Sequence, residues 1–172
     1  MTFRLILTRH AKSAWDDIDL DDHDRVLNAR GRRSADAIGD WIKDHDYLPD
    51  EVLCSDAART TETYRRMLKR WPATDVACRF LPELYLASAA SLRAVLGRAT
   101  APVVMIVAHN PGIGTLAGRL CKTAPDNPGF RTYPTAATTV LDFDAPSWSE
   151  ITTGEVVDFV VPRDLIGGAE ND

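Results

Sequence analysis

An arginine–histidine pair at the end of a short apolar run is the feature of this chain best suited to chemistry. Arg9 and His10 follow Leu5-Ile6-Leu7, which has the composition of a buried strand. The ends of parallel strands face the ligand crevice of an α/β sheet. An imidazole can attack phosphorus as a nucleophile, and a guanidinium can hold phosphate oxygens through paired, charge-assisted hydrogen bonds. The pair therefore suits phosphoryl transfer, provided that other segments complete a phosphate site.

Two later segments supply groups of the kind that such a site needs. Arg59 lies shortly after a second strand-like run, and His109 and Asn110 follow the longest apolar run of the chain. A phosphoryl group spreads its charge over three oxygens, so its transfer depends mostly on positioning and electrostatic stabilisation. His10 must be neutral to attack, whereas a protonated His109 would add a positive donor. The two histidines then need different protonation states at one pH.

The elements that must position these residues alternate between strand-like and helix-like patterns. This order predicts an α/β fold of one domain over residues 1–172, with a mainly parallel sheet and helices on both faces. The closely spaced last two strands favour an antiparallel edge. The predicted strands are 3–8, 51–54, 76–80, 102–108, 137–143 and 156–161, and helices are expected over 28–46, up to Trp71, over 88–98 and through Leu116 and Leu120. Asn28 and Ser88 are the predicted N-caps of the first and third helices.

Composition excludes several classes of function. The chain is 45% hydrophobic and 26% charged with a net charge of −5, as in an ordinary globular protein and unlike a general nucleic-acid binder. We find no signal-peptide layout and no apolar stretch of membrane-spanning length, so we expect a cytoplasmic protein. The three cysteines lack metal-ligand spacing and are predicted to be buried free thiols. No metal site or cofactor is expected.

Four motifs in order make the chain resemble branch one of the histidine phosphatase superfamily. They are Thr8-Arg9-His10-Ala11-Lys12-Ser13, Ser55-Asp56-Ala57-Ala58-Arg59-Thr60, Glu83 and Ala108-His109-Asn110. The stretches 22–31, 134–137 and 157–165 extend the likeness over nearly the whole chain, and it is greatest to SixA-type phosphohistidine phosphatases. The expected fold is then phosphoglycerate mutase-like.

The resemblance implies a metal-independent reaction in two steps. His10 takes the phosphoryl group and water then releases phosphate, while Arg9, Arg59 and His109 form the phosphate pocket. Glu83 falls where branch-one enzymes place the proton donor for the leaving group. The alternatives are that Glu83 is structural, or that a phosphoramidate leaving group needs no dedicated acid. Arg59 has Glu62 and Glu83 as alternative surface ion-pair partners.

The loop after the nucleophile departs from relatives that act on phosphometabolites. Ser13 and Asp16 occupy positions of polar substrate contacts, and Asn110 beside His109 is a further expected contact. Asp16 stands where phosphoglycerate mutases carry a neutral asparagine, and a carboxylate there repels a second anionic group. Six aspartates lie in the acidic loop, which we define as residues 16–24: Asp16, Asp17, Asp19, Asp21, Asp22 and Asp24. The loop either favours substrates with positive charge near phosphate or is merely solvated.

The leading prediction is a phosphatase that acts on protein phosphohistidine, with a histidine phosphotransfer domain of bacterial signalling as the implied partner. A small-molecule phosphomonoesterase on the same fold is the alternative enzyme. A non-catalytic module that binds phosphorylated partners is the alternative from another class, and the retained His10 argues against it.

Overall fold

One mixed sheet forms the centre of the molecule. The computed structural model describes residues 1–72 and 75–167, and within these ranges six strands pair in the order β3-β2-β4-β1-β5-β6. They are β1 (Thr2–Arg9), β2 (Glu51–Ser55), β3 (Ala77–Leu81), β4 (Val103–Ala108), β5 (Thr138–Asp144) and β6 (Glu155–Val160). The first four in this order are parallel, whereas β5 and β6 add an antiparallel edge. The predicted mainly parallel sheet with an antiparallel edge is confirmed.

Helices cover both faces of this sheet, as the alternating pattern predicts. They are α1 (Ala29–Asp44), α2 (Ala58–Arg70), α3 (Ala89–Leu96), α4 (Gly112–Leu120), α5 (Gly129–Thr132) and α6 (Pro162–Ile166). Helices α1 and α2 share one core with Ile6, while α3, α4 and α5 share the other with Leu5 and Leu7. Successive side chains of β1 therefore point to opposite cores. Helices α5 and α6 are too short to show a helical period in the sequence, and they were not predicted.

The predicted N-caps of α1 and α3 are both present. The Asn28 side chain accepts a hydrogen bond from the Gly31 N–H at 2.8 Å, and Ser88 accepts one from the Ser91 N–H at 3.1 Å. Each cap satisfies an N–H that has no partner within the helix. The start of α1 is thus fixed by its own sequence, and this start lies against the loop that follows β1.

The register of the central strands determines where the polar loops meet. Arg9 of β1 pairs with Ala108 of β4, so His10 and His109 leave the sheet at the same level. The His10 N–H donates to the Ala108 carbonyl at 3.0 Å. Ser55 ends β2, the other neighbour of β4. The three predicted polar segments therefore meet at one edge of the sheet.

Two further predictions from the sequence concern membrane-spanning helices and the burial of the cysteine thiols. No helix within residues 1–72 and 75–167 combines the length and apolar character needed to cross a bilayer. The three cysteines are free thiols, as predicted. Cys54 is fully buried, whereas Cys78 and Cys121 are partly accessible. Burial raises the pKa of the Cys54 thiol well above its ordinary value, so this group is held as an unreactive thiol.

Two helical glycines give a matched test of how α1 packs against the loop that carries His10. A Cβ on Gly31 would lie 2.0 Å from the Lys12 carbonyl oxygen, whereas a Cβ on Gly118 in α4 would meet no atom within 4 Å. We expect Gly31→Ala to destabilise the fold by about 1–3 kcal/mol, because a backbone group must move. Gly118→Ala should be neutral or stabilise by up to about 1 kcal/mol through helix propensity. Denaturant unfolding of both variants measures the difference, and equal stabilities would contradict this packing.

Candidate active site

A cavity of about 270 Å³ lies where the three polar segments meet. Its lining includes six of the predicted site residues, which are Arg9, His10, Ser13, Arg59, His109 and Asn110, together with Lys12, Trp15, Asp22, Leu86 and Thr135. The structure therefore brings both histidines and both arginines to one cavity. Two predicted site residues, Asp16 and Glu83, do not line it.

The backbone around His10 is held from three sides. The His10 N–H donates to the Ala108 carbonyl of β4, and the His10 carbonyl accepts from the Ala136 N–H at 2.9 Å. The next N–H, of Ala11, donates to the Thr63 hydroxyl of α2 at 3.0 Å. A backbone tied to three separate elements gives the imidazole little freedom to move. Thr63 acts as a positioning residue that the sequence motifs did not single out.

A hydrogen bond to the backbone selects the tautomer of His10. The ring Nδ1 lies 2.7 Å from the Ala11 carbonyl oxygen, and a carbonyl can only accept, so Nδ1 carries the proton. The neutral ring then has its lone pair on Nε2. Burial is the main cause that lowers the pKa of His10 to about 4, and the Arg59 and Arg9 charges act in the same direction. His10 is therefore a neutral imidazole near pH 7, with its Nε2 lone pair available.

His109 lies beside it, with ring centroids 5.3 Å apart. Its Nε2 is 2.8 Å from the Ser55 hydroxyl, while its Nδ1 is buried without a hydrogen-bond partner among the described residues. Burial is the main cause that lowers the pKa of His109 to about 3, and His10 and the Arg59 charge contribute to this lowering. Both histidines are thus neutral in the ligand-free protein. The protonated His109 that the sequence argument called for requires an anion in the cavity.

The first arginine is fixed by a carbonyl from the loop before β5. Arg9 Nη1 donates to the Tyr133 carbonyl at 3.1 Å, and Asn110 Nδ2 donates to the same oxygen at 2.9 Å. The Tyr133 hydroxyl in turn donates to the Leu7 carbonyl at 2.8 Å. Arg9 Nε is buried without a partner in the described part of the chain. Burial, with a smaller contribution from Arg59, lowers the pKa of the Arg9 guanidinium, so an anion bound there would relieve an uncompensated charge.

The second arginine pairs with neither Glu62 nor Glu83, the alternative surface partners that the sequence offered. Arg59, which is 4% exposed, donates from Nη1 to the Asp22 carbonyl at 2.7 Å and from Nη2 to Asp22 Oδ2 at 3.0 Å. Glu62 instead accepts from Arg32, at 2.7 Å. A guanidinium has five N–H donors, so those not used on Asp22 remain for phosphate. Arg59 is therefore a buried cation with a fixed orientation.

Asp22 lines the cavity but is not among the site residues predicted from sequence. It opens a 3₁₀ turn (Asp22–Asp24) in the acidic loop, and its carboxylate also accepts from the Tyr85 hydroxyl. The hydrogen bonds from Tyr85 and Arg59, of which the one from Tyr85 has the larger effect, hold the pKa of Asp22 below its ordinary value. Among the described residues it is the one carboxylate that lines the cavity. The sequence signal was the run of six aspartates, which did not indicate which of them faces inward.

The other acidic candidates lie elsewhere. Glu83, in the 3₁₀ turn Pro82–Leu84, is exposed and accepts from Arg98 Nη2 at 3.1 Å. Asp16 lines a neighbouring depression that shares Trp15 with the cavity. The expectation that the acidic loop overhangs the pocket therefore applies to Asp22. The placement of Glu83 gives it no contact with the cavity in the ligand-free protein.

The assembled groups can bind and transfer a phosphoryl group. They comprise a neutral, oriented imidazole, the buried Arg59 guanidinium, the half-buried Arg9 guanidinium and a second imidazole whose Nδ1 has no partner among the described residues. Within residues 1–72 and 75–167, no three His, Cys, Asp or Glu side chains are grouped so as to hold a metal ion. The positively charged side chains that line the cavity are Arg9, Lys12 and Arg59.

The opposite pKa shifts of the histidines predict a specific titration. His10 and His109 should stay neutral down to about pH 5, because their pKa values are lowered to about 4 and about 3. His23 should titrate above 6.5, since its hydrogen bond to Asp56 favours the charged form. NMR of the ring carbons and nitrogens between pH 8 and 4.5 reports each site. Protonation of His10 near pH 6.5 would contradict a buried imidazole that is neutral near pH 7.

Comparisons with known proteins agree with this geometry. Residues 5–93 match the model of the histidine phosphatase superfamily (branch 1). An uncharacterized chloroplastic protein of Arabidopsis thaliana is 34% identical over 119 residues, which span 63% of this chain and 55% of that protein. An uncharacterized protein of Mycobacterium tuberculosis is 30% identical over 164 residues, or 90% of this chain and 99% of that one.

A solved structure extends the match to the whole fold. The structure of a protein assigned as phosphohistidine phosphatase SixA from Nakamurella multipartitia has a TM-score of 0.80 and 26% identity, covering 94% of this chain and 97% of that one. The expected phosphoglycerate mutase-like α/β fold is confirmed. The family model matches residues 5–93, and the mycobacterial relative aligns over 90% of this chain. The chain therefore belongs to branch 1 of the histidine phosphatase superfamily.

Proposed function

We propose that this phosphatase hydrolyses protein phosphohistidine through a covalent phosphoryl intermediate on His10. The observation that carries the proposal is the hydrogen bond from His10 Nδ1 to the Ala11 carbonyl. It leaves the lone pair of Nε2 for phosphorus, and burial keeps this lone pair free of a proton near pH 7. A nucleophile is effective when its unprotonated form and its orientation are both fixed in advance.

Arg9, Arg59 and His109 stabilise the transferred group in this proposal. The guanidinium groups offset the charge on the phosphoryl oxygens, and they need no reorganisation because hydrogen bonds already hold them. His109 Nδ1 is the buried nitrogen that awaits a partner. A bound phosphate dianion favours the protonated form of His109, so the different protonation states arise on binding. Ser13 and Asn110 line the same cavity and complete the set of proposed substrate contacts.

The proton that a leaving group requires distinguishes a phosphoramidate substrate from a phosphoester substrate. An alkoxide leaves poorly without a proton donor, and the described residues that line the cavity include no carboxyl group other than Asp22, which is ionised. Glu83 is paired with Arg98 outside the cavity. A phosphohistidine with a protonated ring leaves as neutral imidazole and needs no acid. The cavity therefore favours the phosphoramidate over a small phosphomonoester.

The rim of the cavity supports a macromolecular substrate. Trp15 and Leu86 line the cavity, and their side chains are 65% and 55% exposed. Large apolar side chains at the mouth of a polar cavity suit contact with another protein surface. The solved SixA relative is assigned as a phosphohistidine phosphatase. We infer a histidine phosphotransfer domain as the partner, in a reaction that needs no metal and persists in excess chelator.

Replacing the nucleophile tests the central step. We expect His10→Ala to lower turnover of a phosphohistidine-bearing phosphotransfer domain by about 1,000-fold or more, because no other group takes the phosphoryl. His45→Ala is the matched control, since His45 bonds the Trp41 carbonyl far along α1 from the cavity. Radiolabelled phosphoryl should be retained by the wild-type protein after rapid quenching in base and be absent from His10→Ala. Unchanged turnover or labelling in His10→Ala would refute His10 as the nucleophile.

Glu83 gives a separate prediction about the leaving group. We expect Glu83→Gln to keep phosphohistidine turnover within about twofold of the wild-type value, because the imidazole leaves without an acid. The measurement is the initial rate on the phosphorylated domain beside that on glycerate and sugar phosphates. A large loss with Glu83→Gln on phosphohistidine would mean that Glu83 moves into the cavity and serves as the proton donor that the family resemblance implies.

A further inference from the structure

We propose that Asp22 is a specificity-determining residue, whose carboxylate accepts a hydrogen bond from the cationic leaving group of the substrate. The inference rests on the proposed function and names the chemistry that the cavity selects: a phosphoryl group on a protonated imidazole. It assigns one residue of the acidic loop to direct substrate contact. The remaining aspartates of the loop are then not required for this selection.

The position of Asp22 is built by three separate segments. Arg59 of α2 bonds both the carbonyl and the carboxylate of Asp22, and Tyr85 donates its hydroxyl to the same carboxylate oxygen, Oδ2. Tyr85 also contacts His109, with ring centroids 5.4 Å apart and nearly perpendicular planes. Arg25 Nε lies 3.9 Å from Oδ1. The carboxylate is thus held beside the Arg59 guanidinium in the lining of the cavity.

The charge of Asp22 acts on the reacting groups. It raises the pKa of both His10 and His109, against the larger lowering that burial causes. The Tyr85 and Arg59 hydrogen bonds keep Asp22 ionised. A fixed negative charge in a cavity built for phosphate carries an electrostatic cost for any substrate with a second anion. A substrate recovers that cost only with a positive charge or an N–H donor beside the phosphorus.

A protonated phosphohistidine supplies both. In the first step His10 Nε2 forms a bond to phosphorus, and the substrate P–N bond breaks with its electron pair going to the leaving nitrogen. The departing ring becomes neutral imidazole and keeps its distal N–H on Asp22. His10, with Nδ1 still protonated, now carries the positive charge. Water then attacks phosphorus, the P–Nε2 electron pair returns to His10, and dihydrogen phosphate leaves.

The test compares two substrates that leave without an acid and differ in charge. One is a phosphohistidine peptide and the other is p-nitrophenyl phosphate, whose leaving group has no cation and no N–H. We expect Asp22→Asn to lower kcat/KM for the peptide about tenfold more than kcat/KM for p-nitrophenyl phosphate, which is the scale of one charge-assisted hydrogen bond. Asp22→Glu should restore most of the preference. Asp24→Asn is the matched control, because Asp24 lies in the same 3₁₀ turn but outside the cavity lining.

Each outcome separates this inference from its alternatives. A fall of more than threefold in the ratio of the two kcat/KM values supports substrate contact by Asp22. Equal losses on both substrates, with weaker inhibition by inorganic phosphate, would make Asp22 only a positioning residue for Arg59 and overturn the inference. Wild-type protein that fails to hydrolyse the peptide would overturn the proposed function itself. Circular dichroism checks folding, and Asp22→Ser serves if Asp22→Asn is unfolded.

Discussion

The hydrogen bond from His10 Nδ1 to the Ala11 carbonyl is the interaction on which the site depends. It fixes the tautomer, and the surrounding bonds to β4, to Ala136 and to Thr63 fix the ring's position. The sheet order makes this possible, because β1 lies between β4 and β5 and its last residues are held from both sides. A nucleophile on a freer loop would need to search for both its tautomer and its direction of attack.

Burial of positive charge is the second constraint, and the two arginines meet it differently. Within the part of the chain that the structure describes, Arg9 donates to the Tyr133 carbonyl, and burial lowers the pKa of its guanidinium. Arg59 has a full counter-charge in Asp22. Two uncompensated cations beside two histidines would strongly destabilise the empty cavity. Among the described residues, the counter-charge on Arg59 lowers the electrostatic cost of the empty cavity, while Arg9 has no carboxylate partner and can attract an anion.

Much of this arrangement was predictable from sequence, because it follows from local patterns. Apolar runs located the strands, and the parallel order placed Arg9-His10 beside His109 at one edge of the sheet. The inward-facing aspartate was not predictable, because a 3₁₀ turn in an irregular loop has no period that assigns a face. Glu83 illustrates the reverse case, since its motif position suggested an acid but Arg98 holds it outside the cavity. Contacts between residues distant in sequence determine the positions of both Asp22 and Glu83.

Taken together, these constraints connect the charge of the cavity with the chemistry of its leaving group. An ionised Asp22 cannot donate a proton, and a His109 with a pKa of about 3 donates none until an anion binds. A site so poor in protons suits a reaction in which the bond broken and the bond formed are both phosphorus–imidazole bonds. In the proposed reaction, transfer between two imidazoles is nearly balanced in energy, so positioning and charge compensation would account for most of the catalysis. The acidity that a phosphoester requires would demand a carboxyl group held neutral by burial, and Asp22 is held in the opposite state.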